Sequence, residues 1–157
     1  MGKWMGCEMW KLDIGKGRWE AVDKGGRRTI QTYRDLDVYN LAYNLAMEIF
    51  EISARFPKEE RYSLTDQMRR SSRSICANIV EGFAKRKYEN IFKSSLNAAL
   101  GESEETGIWL NFAVDCEYIA DEIYARLEKG YQQVGAMAWS LMTKWLVLSA
   151  IEGESFR

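Results

Sequence analysis

The chain has 157 residues, a mass of 18.2 kDa and a formal net charge of −1, which fits a single domain with a substantial core. It contains no histidine, which excludes Ser-His and Cys-His nucleophile pairs and the Glu-x-x-His repeat of di-iron helical bundles. Its three cysteines, Cys7, Cys76 and Cys116, match no zinc-ligand spacing, so reduced thiols in a cytoplasmic protein are expected.

Residues 1–32 differ in pattern from the rest of the chain and are predicted to form a separate N-terminal extension. Trp10, Leu12 and Ile14 alternate, residues 15–17 offer a turn, and Trp19 starts a second alternating run, which favours a small β-hairpin. A disordered leader is the alternative. No structure is predicted for residues 24–32, and residues 24–28, which are glycine-rich and basic, are expected to be a flexible linker.

The following segments repeat apolar residues at three- and four-residue steps and predict four amphipathic helices. Asp35 or Asp37 caps the first helix, Pro57 ends it, and Gly82 is expected to stop the second. Gly101 and Gly107 are expected to allow close helix approach. The predicted ranges are 35 or 37 to 56, 63 to 81, 89 to 116 and 119 to 151. These helices and their short connections predict an all-α fold, an antiparallel up-down-up-down four-helix bundle at 33–151 with a non-bundle N-terminal extension and a tail at 152–157.

The second helix carries two faces with different roles. Its core arc contains Leu64, Met68, Ser71, Ile75 and Ile79, and a polar stripe beside it contains Arg70, Ser74, Asn78 and Glu81. Polar groups beside a core are costly to desolvate without partners, so this stripe is predicted to join a network between helices or subunits. The fourth helix is expected to bury a near-heptad series: Ala120, Ile123, Leu127, Val134, Leu141, Trp145 and Leu148.

Short motifs before the first helix and along the second and third helices resemble those of a known family. They are Tyr33-Arg34-Asp35-Leu36, Gln67 to Arg70, Ser74-Ile75, Asn78-Ile79, Glu81-Gly82 and the run Ala99 to Glu105. Together they resemble the 23S rRNA intervening-sequence proteins, although Ser63 and Cys76 replace an expected Gly and Pro and residues 1–32 have no counterpart. The resemblance implies a bacterial four-helix bundle and a homopentamer. It also implies a possible reverse transcriptase partner, because accessory variability proteins of retroelements are related.

Basic residues form the first candidate surface. Arg69 and Arg73 are expected to point away from the core, and further charge surrounds the connection between helices two and three, at Lys85, Arg86, Lys87 and Lys93. This surface is predicted to bind RNA or DNA through backbone phosphates, and an ordinary solvated face is the alternative. Charge is uneven along the chain, +4 over residues 1–34 and −6 over 101–157, and the overall pI of about 5.7 argues against indiscriminate nucleic-acid binding.

Aromatic residues on the third helix form the second candidate surface. Trp109 and Phe112 share an arc with Glu102 and Glu105, beside the core arc. We expect this face to mediate oligomer contact, or to be covered within the monomer. Arg70 is expected to pair with the two glutamates, whereas Arg69 is expected to behave as a free surface residue.

No motif for catalysis, cofactor binding or membrane insertion is present. A cation site at Glu81, Glu102 and Glu105 is less favoured than salt bridges, and neither glycine cluster of the extension leads into a phosphate-binding loop. No apolar run reaches the length of a membrane span. The sequence therefore predicts a non-enzymatic oligomeric bundle without metal or cofactor, a nucleic-acid or ribonucleoprotein scaffold or, alternatively, a protein-binding adaptor that acts through the aromatic face.

Overall fold

Four long helices account for most of the chain. The computed structural model describes the backbone of residues 9–13, 18–23, 26–29 and 32–154, and the side chains of residues 32–144. The helices are α1 (Asp37–Ser53), α2 (Leu64–Ala84), α3 (Glu89–Asp115) and α4 (Asp121–Glu154). Single 3-10 turns at Tyr33–Asp35 and Lys58–Glu60 precede α1 and α2.

The helices pack as a bundle in which each contacts its sequence neighbour and α4 returns to α1. Connections of a few residues force consecutive helices to run antiparallel. The core is aliphatic, and its fully buried large side chains include Ile49, Met68, Ile75, Ile79, Leu96, Leu110, Leu127 and Val134. The predicted up-down-up-down four-helix bundle is confirmed.

A few small polar side chains share this core, as the periodicity of α2 and α3 predicted. Ser71, Ser103 and Thr106 are buried. Thr106 Oγ1 lies 2.9 Å from Ser71 Oγ and 2.8 Å from the Glu102 carbonyl oxygen, which ties α3 to α2. Hydroxyl groups of this kind are tolerated in a core because each has a hydrogen-bond partner.

The N-terminal extension contains a three-stranded antiparallel sheet, β1 (Met9–Asp13), β2 (Arg18–Asp23) and β3 (Gly26–Thr29), in the order β1-β2-β3. Leu12 pairs with Trp19 across the first hairpin, which follows the alternation in the sequence. Ala21 pairs with Arg28 across the second, so the flexible linker expected at 24–28 is wrong from Gly26, where β3 begins. The turn expected at 15–17 lies outside the described residues.

Two glycines allow close helix contact, but they are not the two that the sequence suggested. Gly82 does not stop α2, which continues to Ala84. Gly82 is buried, and a Cβ there would lie 3.2 Å from Ser95 Cβ on α3. At Gly130 a Cβ would lie only 2.7 Å from Leu45 Cδ2. A Cβ at Gly101 or Gly107 would meet nothing within 4 Å, so the close approach expected there is wrong.

The buried face of α4 also differs from the predicted series. Ala120 is exposed, whereas Tyr131, Ala138 and Met142 are buried together with the expected Leu127 and Val134. The side chains of Trp145 and Leu148 lie outside those described. Tyr131 and Ala138 each lie four residues after an expected core position, on the same face of the helix, but the predicted series did not include them.

One end of the bundle is fastened by Glu60, just before α2. Its carboxylate accepts hydrogen bonds from the Ser63 hydroxyl, from the Leu64 N–H at 3.3 Å and from the Tyr118 hydroxyl at 3.1 Å. The Ser63 bond, followed by the Leu64 bond, lowers the pKa of Glu60. Because Tyr118 lies between α3 and α4, this carboxylate joins two connections of the bundle.

Candidate functional site

The outer face of α2 carries three arginines around a shallow depression. Arg69, Arg70 and Arg73 lie within five residues, and the depression between them is also lined by Asp66, Ser74 and Ala77. We call the three arginines the arginine ridge. Asp66 is the one carboxylate that lines this depression, so the local charge is positive. The geometry suits an anionic group that approaches from solvent.

Arg69 belongs to this ridge but is fixed to α1. Its Nε donates to Ser53 Oγ at 2.8 Å, its Nη2 donates to the Phe50 carbonyl at 3.3 Å, and its guanidinium lies 4.7 Å from the centroid of the Phe50 ring. The expectation that Arg69 would be a free surface residue is wrong. A long side chain can return to a neighbouring helix even when its Cβ lies on an outer arc.

Arg70 reaches α3, as expected, but it remains largely in water. Its Nη2 lies 3.8 Å from Glu105 Oε1 and 3.1 Å from the Gln67 side-chain oxygen, and its side chain is 67% exposed. Burial, followed by the nearby charge of Glu105, raises the pKa of Glu102, and the charge of Arg70 opposes that rise. The link between α2 and α3 is therefore a solvent-screened ion pair rather than a buried one.

The rest of the predicted polar stripe bonds within α2 or to its end. Asn78 donates to the Ser74 carbonyl at 2.9 Å, and Lys85 Nζ lies 2.6 Å from Glu81 Oε1. Both contacts follow the i, i+4 spacing of a single helix. Ser74 and Asn78 are half-buried, and Glu81 is exposed. The structure therefore records Arg70 with Glu105 as the contact that carries this stripe to α3.

The basic residues near the α2–α3 connection differ in how available they are to a ligand. Lys93 pairs with Glu89 at 2.6 Å, as Lys85 does with Glu81. Arg86 donates to the Phe83 carbonyl at 2.8 Å, and its guanidinium lies 4.2 Å from the Phe83 ring centroid. Lys87 is exposed and lies apart from the ridge in sequence. Arg73 is also exposed. The six predicted cations thus divide into anchored, ion-paired and accessible members.

The aromatic pair on α3 is placed as the sequence suggested. Trp109 Nε1 donates to Glu105 Oε1 at 3.1 Å, and the Trp109 and Phe112 ring centroids are 6.0 Å apart. Trp109 packs partly against the core, whereas Phe112 is 53% exposed. Ile108 beside them is 52% exposed. Large apolar side chains left in water on one helix face are typical of an association surface.

A second apolar stripe was missed by sequence reasoning. Tyr43, Met47 and Phe50 of α1 are exposed at i, i+4 and i+7, and we call them the α1 stripe. Phe50 touches the arginine ridge through Arg69 and Arg73. The sequence contains a signal for the α1 stripe, because these three residues repeat at helical spacing and fall outside the predicted core arc of α1.

Nucleophile and metal chemistry find little support among the described side chains. Burial raises the pKa of the Cys76 thiol to about 11, which keeps it protonated and unreactive at neutral pH. Cys116 is a free exposed thiol, and Cys7 lies outside the described residues. Within residues 32–144, no three Cys, Asp or Glu side chains gather as a metal site would require. Among the described helices, none is both long and apolar enough to cross a bilayer.

Comparison with known proteins gives a consistent assignment. No curated protein matches the chain. A solved structure, a protein of unknown function from the S23 ribosomal protein family of Bacteroides thetaiotaomicron, is 27% identical and superposes with a TM-score of 0.61. The match covers 68% of this chain and 95% of that one. The family model of the 23S rRNA-intervening sequence protein matches residues 34–140, most of the described bundle. The chain therefore belongs to the 23S rRNA-intervening sequence protein family.

Proposed function

We propose that this protein is a non-enzymatic, cytoplasmic, homo-oligomeric scaffold that binds nucleic acid through the phosphate backbone. The observation that carries the proposal is the arginine ridge, where three guanidinium groups surround a depression lined by a single carboxylate. Arginine presents several N–H donors in a planar fork, which matches phosphate oxygens. Because Arg69 is anchored to α1, Arg70 and Arg73 would make the phosphate contacts, and Arg69 would hold the surface in place.

Three further observations support this proposal. Lys87 adds an exposed cation at the α2–α3 connection. The solved relative is described as a member of the S23 ribosomal protein family, which is consistent with a ribonucleoprotein setting. The acidic C-terminal third would repel nucleic acid and leave α2 as the favoured side of approach. A reverse transcriptase remains a candidate protein partner through the family resemblance.

Assembly is the second part of the proposal. A single ridge offers few phosphate contacts, but a ring would repeat it once per subunit and multiply weak contacts along one strand. We assign Ile108 and Phe112 of α3 to the subunit contact because both are more than half exposed. The expected state is a pentamer. Light scattering should return a mass several times 18.2 kDa, and Phe112→Glu should lower it; a stable wild-type monomer would remove this part of the proposal.

The binding test compares charge reversals at two exposed positions. Arg73→Glu changes the ridge, whereas Lys129→Glu makes the same change in net charge on α4. Affinity for structured RNA and for duplex DNA is measured at several salt concentrations. Wild type should bind most tightly at low salt. Arg73→Glu should weaken binding and reduce the slope of log affinity against log salt concentration by about 1 for each subunit in contact. No binding by wild type at low salt, or equal losses of affinity in both variants, would refute the role of the arginine ridge in phosphate binding.

A protein-binding adaptor is the second candidate function. It is favoured by the exposure of Phe112 and Ile108, which a backbone-binding role does not require. Apolar contacts persist as salt rises, whereas phosphate contacts weaken. A partner that is retained at high salt by wild type and lost by Phe112→Glu would therefore place this function ahead of nucleic-acid binding.

A further inference from the structure

The α1 stripe lies directly beside the arginine ridge. Tyr43, Met47 and Phe50 have exposed fractions of 49%, 42% and 41%, and their spacing places all three on one side of α1. The first and the last of them are seven positions apart, or about 10.5 Å along the helix. The proposed phosphate-binding role uses none of them. The exposure of these three apolar side chains therefore requires a separate explanation.

Contacts at Phe50 join the stripe and the ridge into one surface. The Arg69 and Arg73 guanidinium groups lie 4.7 Å and 6.0 Å from the Phe50 ring centroid. Arg69 is also hydrogen bonded to the backbone of α1 at Phe50. Ring and cations are therefore held next to each other, and a ligand that touches one reaches the other without any rearrangement.

The surface continues toward the start of α1 as a ladder of rings. Tyr43 lies 6.1 Å from Tyr39, and Tyr39 lies 4.8 Å from Tyr33 between ring centroids. The Arg34 guanidinium lies 4.9 Å from the Tyr33 ring. Guanidinium groups thus lie at both ends of a row of aromatic rings along one flank of the bundle, from Arg34 to the arginine ridge.

We infer that this flank binds single-stranded nucleic acid, with bases stacked on Tyr43 and neighbouring rings and phosphates held by the ridge. The inference rests on the proposed function and specifies its ligand. Proteins that bind single strands combine a basic groove with aromatic side chains that stack on bases, and arginine adds cation–π contacts. A duplex hides its base faces inside the stack, so rings outside it would gain nothing from stacking.

The dimensions and the chemistry agree with a short strand. The α1 stripe is about 10.5 Å long, so one subunit would hold only a few bases. An acidic protein segment is the competing ligand, because carboxylates also pair with arginine, and the test below includes it.

The variant Tyr43→Ala removes the most exposed ring of the stripe, and Tyr62→Ala is the matched control. Tyr62 is 86% exposed but lies on the α1–α2 connection, away from the stripe. Tyr43→Phe keeps the ring and should keep the affinity. Circular dichroism of each variant establishes that the bundle is folded. The probes are an oligothymidylate of about 12 nucleotides, a DNA duplex of equal length and polyglutamate of similar charge.

Wild type should prefer the oligothymidylate, and Tyr43→Ala should weaken its binding about fivefold or more without changing duplex binding. Tyr62→Ala and Tyr43→Phe should bind as wild type does. Equal loss from both alanine variants, no loss from either, or equal affinity for strand and duplex would overturn the inference and leave the ridge intact. Polyglutamate binding with the same dependence on Tyr43 would also overturn it, in favour of an acidic protein. Failure of all three probes at low salt would refute the proposed function itself.

Discussion

Arg69 and Arg70 are neighbours on α2, but the structure predicts very different costs for their removal. Arg69→Ala would delete the 2.8 Å bond to Ser53 Oγ, the 3.3 Å bond to the Phe50 carbonyl and the stacking on the Phe50 ring. Bonds from a charged donor and a cation–π contact at a partly exposed site together stabilise the folded state by about 2 kcal/mol. Arg70→Ala would delete a 3.8 Å ion pair of a 67% exposed side chain, worth about 0–1 kcal/mol.

The assay is thermal unfolding followed by circular dichroism. For a 157-residue chain, about 2 kcal/mol corresponds to a fall in Tm of about 4–8 °C for Arg69→Ala, against at most about 2–4 °C for Arg70→Ala. All samples need the same protein concentration, because dissociation of an oligomer also shifts Tm. Arg69→Lys keeps the charge but loses the planar fork, so it should recover only part of the loss.

A double-mutant cycle identifies the contact responsible. Ser53 is buried, and its hydroxyl also donates to the Phe50 carbonyl at 3.2 Å. If the Arg69 bond to Ser53 matters, Ser53→Ala should cost less in an Arg69→Ala background than in wild type. Losses of equal size for Arg69→Ala and Arg70→Ala, or a larger loss for Arg70→Ala, would refute the assignment of Arg69 as the anchor between α1 and α2.

Two further predictions concern the bundle itself. Gly101→Ala should raise the free energy of unfolding by about 0.5–1 kcal/mol, because a Cβ there meets nothing within 4 Å. Gly130→Ala should lower the free energy of unfolding, because its Cβ would force Leu45 aside. Urea unfolding measures both changes, and equal effects of the two variants would contradict the packing. The pKa of Glu60 is lowered in the folded state, so the hydrogen bonds to its carboxylate stabilise the fold fully when the pH is above the ordinary pKa of 4.5. This stabilisation is lost as the pH falls through the lower pKa of the folded state. Wild type should therefore lose more stability than Glu60→Gln between neutral pH and about pH 3, and identical pH profiles would show that the carboxylate does not fasten this end.

The helices could be predicted because their signal is local and repeats many times. Each helix buries one arc, and apolar residues recur along it at the helical period, so single errors do not change the outcome. Gly82 shows where local rules fail. Glycine after a helical run favours termination, yet here α2 continues to Ala84, and the missing side chain of Gly82 lets Ser95 of α3 approach. That contact joins residues on two helices and has no local signature.

The candidate site was harder to predict because its chemistry depends on where long side chains end. Periodicity fixes the direction of the Cβ atom, and it placed Arg69 on an outer arc correctly. The guanidinium lies several bonds further out, and its partners Ser53 and Phe50 are 16 and 19 residues away. The α1 stripe was missed for a different reason. Helical periodicity identifies the buried arc of α1, but it gives no interpretation of apolar residues on the outer arc.

Part of the charge pattern could have been interpreted from sequence, and it changes which residues matter. Glu81 precedes Lys85 by four residues, and Glu89 precedes Lys93 by four, which is the favourable order for helical ion pairs. Both pairs are present at 2.6 Å. A phosphate near these lysines must compete with a carboxylate already in contact, whereas Arg73 has an aromatic ring as its recorded neighbour. Substitution of Arg73, on α2, should therefore weaken binding more than substitution of Lys85 or Lys93, which are paired with carboxylates.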